Sequence, residues 1–152
     1  MELAPQVMEQ ARREGKLFAL LSADMDHMKD INDQFGHLAG DEAICRMGRA
    51  LERLKEYSLT PVHISGDEFL AYGIVDGTDE ARNIIRIISD ELRKTNREDP
   101  WIYEISASIG VYAAVPGETD NLDIFMTMAD RSMYAEKNKR KYGRRKDDIK
   151  TR

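Results

Sequence analysis

The chain contains one cysteine, Cys45, in 152 residues. No internal disulfide is possible, and a reducing cytoplasm is the expected compartment. Within Ile44-Cys45-Arg46-Met47 the helical pattern places that thiol in or near the core. No run of about 18 apolar residues occurs, which excludes a membrane-spanning helix. No positively charged start leads into an apolar stretch, so no signal peptide is read. Internal repeats and low-complexity segments are absent. Net charge is −5, and no basic stripe is interleaved with aromatics, which argues against a nucleic-acid partner.

An apolar fraction of 41% is enough for a proper core, and the length fits one domain over 1–152. Charge is uneven. From Ala135 onward nine Lys/Arg oppose three Asp/Glu, a net of +6, leaving −11 for the remainder. The basic tail, about 138–152, reads as solvated or phosphate-facing.

Apolar spacing predicts a helix over 5–15, a strand over 17–23, a short helix over 27–35 and a longer helix from Gly40-Asp41. A hairpin follows over 61–75. Thr78 is the expected N-cap of a helix reaching about Asn96. A strand over 102–114 and a helix from Asn121 or Asp123 complete the chain. This order, α-β-α-α-β-β-α-β-α, fits an α+β fold of ferredoxin-like type, with a mixed sheet and a helical layer.

Two clusters carry chemistry. Gly66-Asp67-Glu68-Phe69 sits at a turn between two apolar strands. Alone it fits a solvated hairpin tip better than a site. Adjacent to a Gly that lets a phosphate approach the backbone, paired acids suit a metal–phosphate site. The second cluster follows the first strand: Asp24-Met25-Asp26, then Lys29, Asn32-Asp33 and Gly40-Asp41. Acids at the end of a central strand lie where open sheets bind ligands. An Asp facing a ring N–H and exocyclic amine, with Asn beside it, fits guanine.

Together these segments resemble the GGDEF family of diguanylate cyclases. The family pattern D-x-D-x-F-K-x-I-N-D is matched by Asp24-Met25-Asp26-His27-Met28-Lys29-Asp30-Ile31-Asn32-Asp33. G-H-x-x-G-D is matched by Gly36-His37-Leu38-Ala39-Gly40-Asp41, and the signature by Ser65-Gly66-Asp67-Glu68-Phe69. Ser108-Ile109-Gly110-Val111 and the helix around Ala129-Asp130 and Lys137 continue the likeness in order.

The resemblance implies a nucleotidyl-cyclase palm-type core with a mostly antiparallel central sheet flanked by helices. It implies catalysis by Glu68 and Asp67, with Mg²⁺ (or Mn²⁺) held by Asp24, Asp67 and the Met25 carbonyl. Asn32 and Asp41 would read guanine. Lys29, Lys137 and Lys141 would hold phosphates. Asp26 reads as structural or supporting. Glu68 adjoins Asp67, so both side chains cannot point at one ion from an extended backbone, which suits a separate role at the 3′-hydroxyl.

The implied activity is condensation of two GTP to cyclic di-GMP and pyrophosphate by a homodimer under an upstream sensory domain. The alternative is a catalytically inactive GGDEF-like domain that binds GTP and regulates a partner domain. Departures bear on that choice. Ser65 replaces the first Gly of the signature, His63 an Arg, Met28 a Phe, and Arg140-Lys141 a Gly-Arg pair. The upstream D-x-L-T-G-L-x-N-R segment is absent, as in a domain excised from a longer sensor or in a natural truncation. No product-inhibition site is expected: the R-x-x-D window reads Glu56-Tyr57-Ser58-Leu59.

Overall fold

A computed structural model describes residues 1–101 and 103–150, with side chains through Lys139. The elements are α1 (Ala4–Glu14), β1 (Leu17–Met25), α2 (Met28–Phe35), α3 (His37–Leu51), a 3₁₀ segment (Glu52–Tyr57), β2 (Leu59–Ser65), β3 (Glu68–Val75), α4 (Thr78–Glu98), β4 (Ala107–Ala114) and α5 (Leu122–Lys150). Strand order is β2-β3-β1-β4, and every neighbouring pair is antiparallel. The expected α+β order is present; the sheet is antiparallel throughout, in line with the family resemblance, where the pattern of elements alone suggested a mixed sheet with one helical layer.

β1 reads as a continuous apolar run because helices cover both sides of the sheet. Its side chains alternate between two cores. Phe18 and Leu20 pack with Met8 and Ala11 of α1 and with Phe125 and Ala129 of α5. Ala19, Leu21 and Ala23 pack with Met47 and Leu51 of α3 and with Ile84 and Ile88 of α4. Continuing that alternation puts Ser22 and Asp24 on the α5 side. Ser22 Oγ donates to Asp130 Oδ1 at 2.6 Å, which pins α5 across the central strand.

Four expectations are corrected. Gly36, at φ 88°, ends α2, and α3 starts at once from His37 rather than Gly40. Asp41 therefore lies beyond the first turn of α3 and is not a helix N-terminal acid. Gly77, not Thr78, is the N-cap of α4, and no side chain caps it; Glu80 Oε2 instead accepts from the Asp76 N–H at 2.8 Å. β4 begins at Ala107, since the Asn96 amide holds both the N–H and the carbonyl of Ile105 at 2.9 Å each, away from any ladder. Ile102, where that strand was expected to start, lies outside the described residues. Cys45 is exposed. The inward stripe of α3 is Ala43, Met47, Ala50 and Leu51, about 120–160° around the helix from Cys45.

The stripe also buries Arg46, whose guanidinium meets Glu42 at 3.3 Å and Asp99 at 3.2 Å and lies 5.1 Å over Trp101. A buried guanidinium needs such partners.

Helix α5 crosses β4 at Gly110. A Cβ there would stand 2.2 Å from the Ala129 carbonyl oxygen and 2.3 Å from the Met133 nitrogen. Both contacts are backbone and cannot swing aside. Gly110→Ala is expected to lower stability in urea unfolding by about 1–3 kcal/mol, the usual cost of overpacking. A wild-type midpoint would refute the close approach.

Candidate active site

The end of β1, the β2–β3 tip and the middle of α5 converge. In register, Asp24 lies directly opposite Glu68 on one side and Ser108 on the other. Directly opposed residues present side chains to the same sheet face. Glu68 is exposed there, while Asp67 sits half-buried in the turn. The Met25 N–H donates to the Asp67 carbonyl at 3.0 Å, tying strand end to hairpin tip.

Asp24 Oδ2 accepts from Lys137 Nζ at 3.0 Å, with the two side chains 24% and 31% exposed. Asp24 Oδ1 is buried and has no hydrogen-bond partner among the described residues. Burial pushes the Asp24 carboxyl above its ordinary value. The Lys137 hydrogen bond pulls it back, and the neighbouring Asp67 charge pushes it up again. An acceptor oxygen that is buried and unbonded is costly unless a ligand uses it. Two acids and a backbone carbonyl suit Mg²⁺, which takes few protein ligands and completes its shell with phosphate and water. Among the described residues no group of three or more His, Cys, Asp or Glu side chains is arranged for a metal.

Asp26 is bound into the fold. Its Oδ1 accepts from Ser108 Oγ at 2.7 Å and its Oδ2 from Ser106 Oγ at 3.0 Å. These bonds account for it as a structural residue joining β1 to the start of β4.

Asn32 of α2 is half-buried and packs on Gly40 of α3, where a Cβ would fall 1.9 Å from Asn32 Oδ1. Only Gly at position 40 leaves room for that amide. Asp41, exposed, is the next residue, so the two groups assigned to guanine share one edge of the α2–α3 pair. Lys29 is exposed on α2. Lys141 lies outside the described side chains. At the R-x-x-D window, Glu56 is paired with Arg53 at 3.2 Å and Leu59 is buried in the core.

Sequence reading missed two contributors. Asp130 anchors α5 through Ser22; its one signal was a polar residue in a buried strand, with an acid two helical turns before Lys137. His63 stacks on Phe69 at 4.7 Å, 24° between planes, and its Nε2 donates to the Gly66 carbonyl at 2.8 Å. In the sequence His63 registers only as the loss of an Arg.

A four-stranded antiparallel sheet with helices on both faces, and acids at one strand end and the adjoining hairpin tip, defines a palm-type nucleotidyl-cyclase core. The chain matches the family described as "Diguanylate cyclase, GGDEF domain" over residues 2–142 and belongs to that family. It is 30% identical over 142 residues to the bifunctional diguanylate cyclase/cyclic di-GMP phosphodiesterase MucR of Pseudomonas aeruginosa, covering 91% of this chain and 20% of MucR. It is 30% identical over 128 residues to the diguanylate cyclase VdcA of Vibrio cholerae, covering 82% of this chain and 37% of VdcA. The solved GGDEF domain of TpbB (YfiN) from Pseudomonas aeruginosa matches with a TM-score of 0.77 at 26% identity, covering 91% of this chain and 86% of that one. The chain thus spans between 20% and 37% of the two curated relatives' lengths.

The raised Asp24 pKa gives a signed expectation. The folded state holds the Asp24 proton more tightly than the unfolded state does. The stability this contributes is present below the ordinary aspartate value of 3.8 and is lost as pH rises through the raised folded value. Asp24→Asn mimics the protonated form. It is expected to melt higher than wild type at neutral pH, with the advantage gone near pH 3, while no longer binding Mn²⁺. A variant less stable than wild type at neutral pH would contradict this.

Proposed function

We propose that the chain is a diguanylate cyclase that condenses two GTP into cyclic di-GMP with release of two pyrophosphates. The observation that carries the reading is the buried, unbonded Asp24 Oδ1 beside Asp67, at the tip that also carries Glu68. Asp24, Asp67 and the Met25 carbonyl would hold Mg²⁺ or Mn²⁺. Bound there, the cation neutralises phosphate charge as a Lewis acid.

The protein groups position and hold. Lys137 spends one of its three donors on Asp24. Two remain for phosphate oxygens, so the same ammonium bridges metal ligand and triphosphate. Lys29 reaches the phosphates from α2. Lys141, which carries the family's phosphate role on the sequence pattern, completes this set. Asn32 and Asp41 hold the guanine edge. Glu68 accepts the hydrogen bond of the 3′-hydroxyl and takes its proton as the new bond forms. That oxygen bonds to the α-phosphorus of the other GTP, and the α–β phosphoanhydride breaks to release pyrophosphate.

One domain presents one GTP, so two copies must face each other as a homodimer. Positioning and charge stabilisation supply most of the effect in such phosphoryl chemistry. Control would come from an upstream sensory domain, in the cytoplasm. No helix among the described residues is long and apolar enough to cross a membrane. With Glu56 at its first position and buried Leu59 at its last, the R-x-x-D window holds no product-inhibition site.

A second reading is a catalytically inactive GGDEF-like domain that binds GTP and regulates a partner domain. Ser65 and His63 at the signature favour it. Incubation of concentrated protein, enforced as a dimer, with GTP and Mg²⁺ separates the two. Cyclic di-GMP is the expected product, and Glu68→Gln is expected to abolish it while GTP still binds. GTP bound without linear or cyclic product would establish the second reading.

Base choice follows from Asn32 and Asp41. Adenine presents an unprotonated N1 to the Asp41 carboxylate and leaves it unpaired. Asp41 is exposed in the free protein, and a bound base would cover it; a polar group left unpaired on being covered costs about 1–3 kcal/mol, so GTP is expected to bind roughly 10- to 100-fold more tightly than ATP by calorimetry. Asp41→Ala should erase most of that ratio. An unchanged ratio in the variant would refute the pairing.

A further inference from the structure

The β2–β3 tip consists of Gly66 and Asp67, and its two consecutive carbonyls are each held from a different strand. The Asp67 carbonyl accepts from the Met25 N–H of β1 at 3.0 Å. The Gly66 carbonyl accepts from the His63 Nε2 of β2 at 2.8 Å. A peptide unit is planar, so holding a carbonyl fixes the orientation of the whole unit. The two held units are those before and after the Asp67 Cα. Together they fix both backbone dihedrals of Asp67, and with them the direction of the Cα–Cβ bond from which its carboxylate extends.

The tip needs such a clamp. Gly66 adopts φ 50°, a left-handed conformation that glycine leaves easily. The ladder is irregular between His63 and Ser65, so regular β pairing does not hold the approach to the turn. The His63 ring is itself held. It lies opposite Phe69 in register and stacks on it at 4.7 Å, and Phe69 is buried.

We propose that His63 is a positioning residue for the metal-binding carboxylate. Stacked on Phe69, it locks the Gly66–Asp67 peptide and so aims Asp67 at the point it shares with Asp24. The role belongs to this chain's own departure from the family pattern, and it deepens the cyclase reading on which its kinetic consequence rests.

Two substitutions separate the donor from the stack. His63→Phe keeps an aromatic plane on Phe69 and removes the donor. His63→Arg restores a donor on a planar group that also stacks on aromatic faces. His63 is exposed, and neither change is expected to move the melting temperature beyond the small range typical of surface substitutions. Mn²⁺ affinity is measured by electron paramagnetic resonance on the protein without nucleotide. His63→Phe is expected to lose roughly 10-fold, the scale seen when a residue supporting a metal ligand is removed, and His63→Arg to recover most of it. In GTP turnover, kcat is expected to fall in His63→Phe while KM for GTP changes less than about two-fold.

Wild-type Mn²⁺ affinity in His63→Phe would overturn the proposal. So would an affinity loss that tracks a lowered melting temperature and is not recovered in His63→Arg. The Mn²⁺ measurement needs no turnover, so failure of the cyclase reading and failure of this one register separately.

Discussion

The constraint on which the site depends is the closeness of two carboxylates, Asp24 and Asp67, at a partly buried point. Their repulsion and the burial of Asp24 both disfavour the charged form. The fold must therefore hold them together against a local penalty, and it does so from three directions. β1 is the central strand, paired on both edges and covered on both faces, so its end cannot fray far. The Met25 N–H ties that end to the hairpin tip. Lys137 brings a compensating charge from α5, which Asp130 and the Gly110 crossing fix in place.

This arrangement explains why the chain spends small and polar residues where a core would otherwise want bulk. Ser22 lies on a buried face of β1 among Phe18 and Leu20, yet its hydroxyl is satisfied by Asp130 at 2.6 Å. Gly110 gives up side-chain packing so that α5 can lie directly on β4. Gly40 does the same for the Asn32 amide. Each sets where a functional group one or two turns away will point: Lys137 on α5, and the Asn32–Asp41 edge on α2 and α3.

Most of the architecture was legible in the sequence because its signals are local. The alternation in β1 and the stripes of α4 and α5 are direct consequences of burial, and Phe125, Ala129, Met133, Ile84, Ile88 and Leu92 all face inward as their spacing required. Asp24, Met25 and Asp67 were grouped by the family resemblance, and in the structure the Met25 N–H meets the Asp67 carbonyl while the Asp67 charge acts on Asp24. What stayed hidden depended on partners far along the chain. Asn96 decides where β4 begins by occupying Ile105. Arg46 takes an inward position on α3 only because Glu42, Asp99 and Trp101 surround it, leaving Cys45 outside. Neither contest can be settled by periodicity.

His63 shows the same limit at the site itself. By type it is a modest substitution for a longer cation, and the sequence registers only a loss. In the structure the ring is the shorter group suited to a nearer task, reaching the Gly66 carbonyl three residues on while resting on Phe69. Lys137 of α5 is the cation bonded to Asp24. Neutralisation is assigned to α5 and aim to β2, which separates the electrostatics of the site from its geometry.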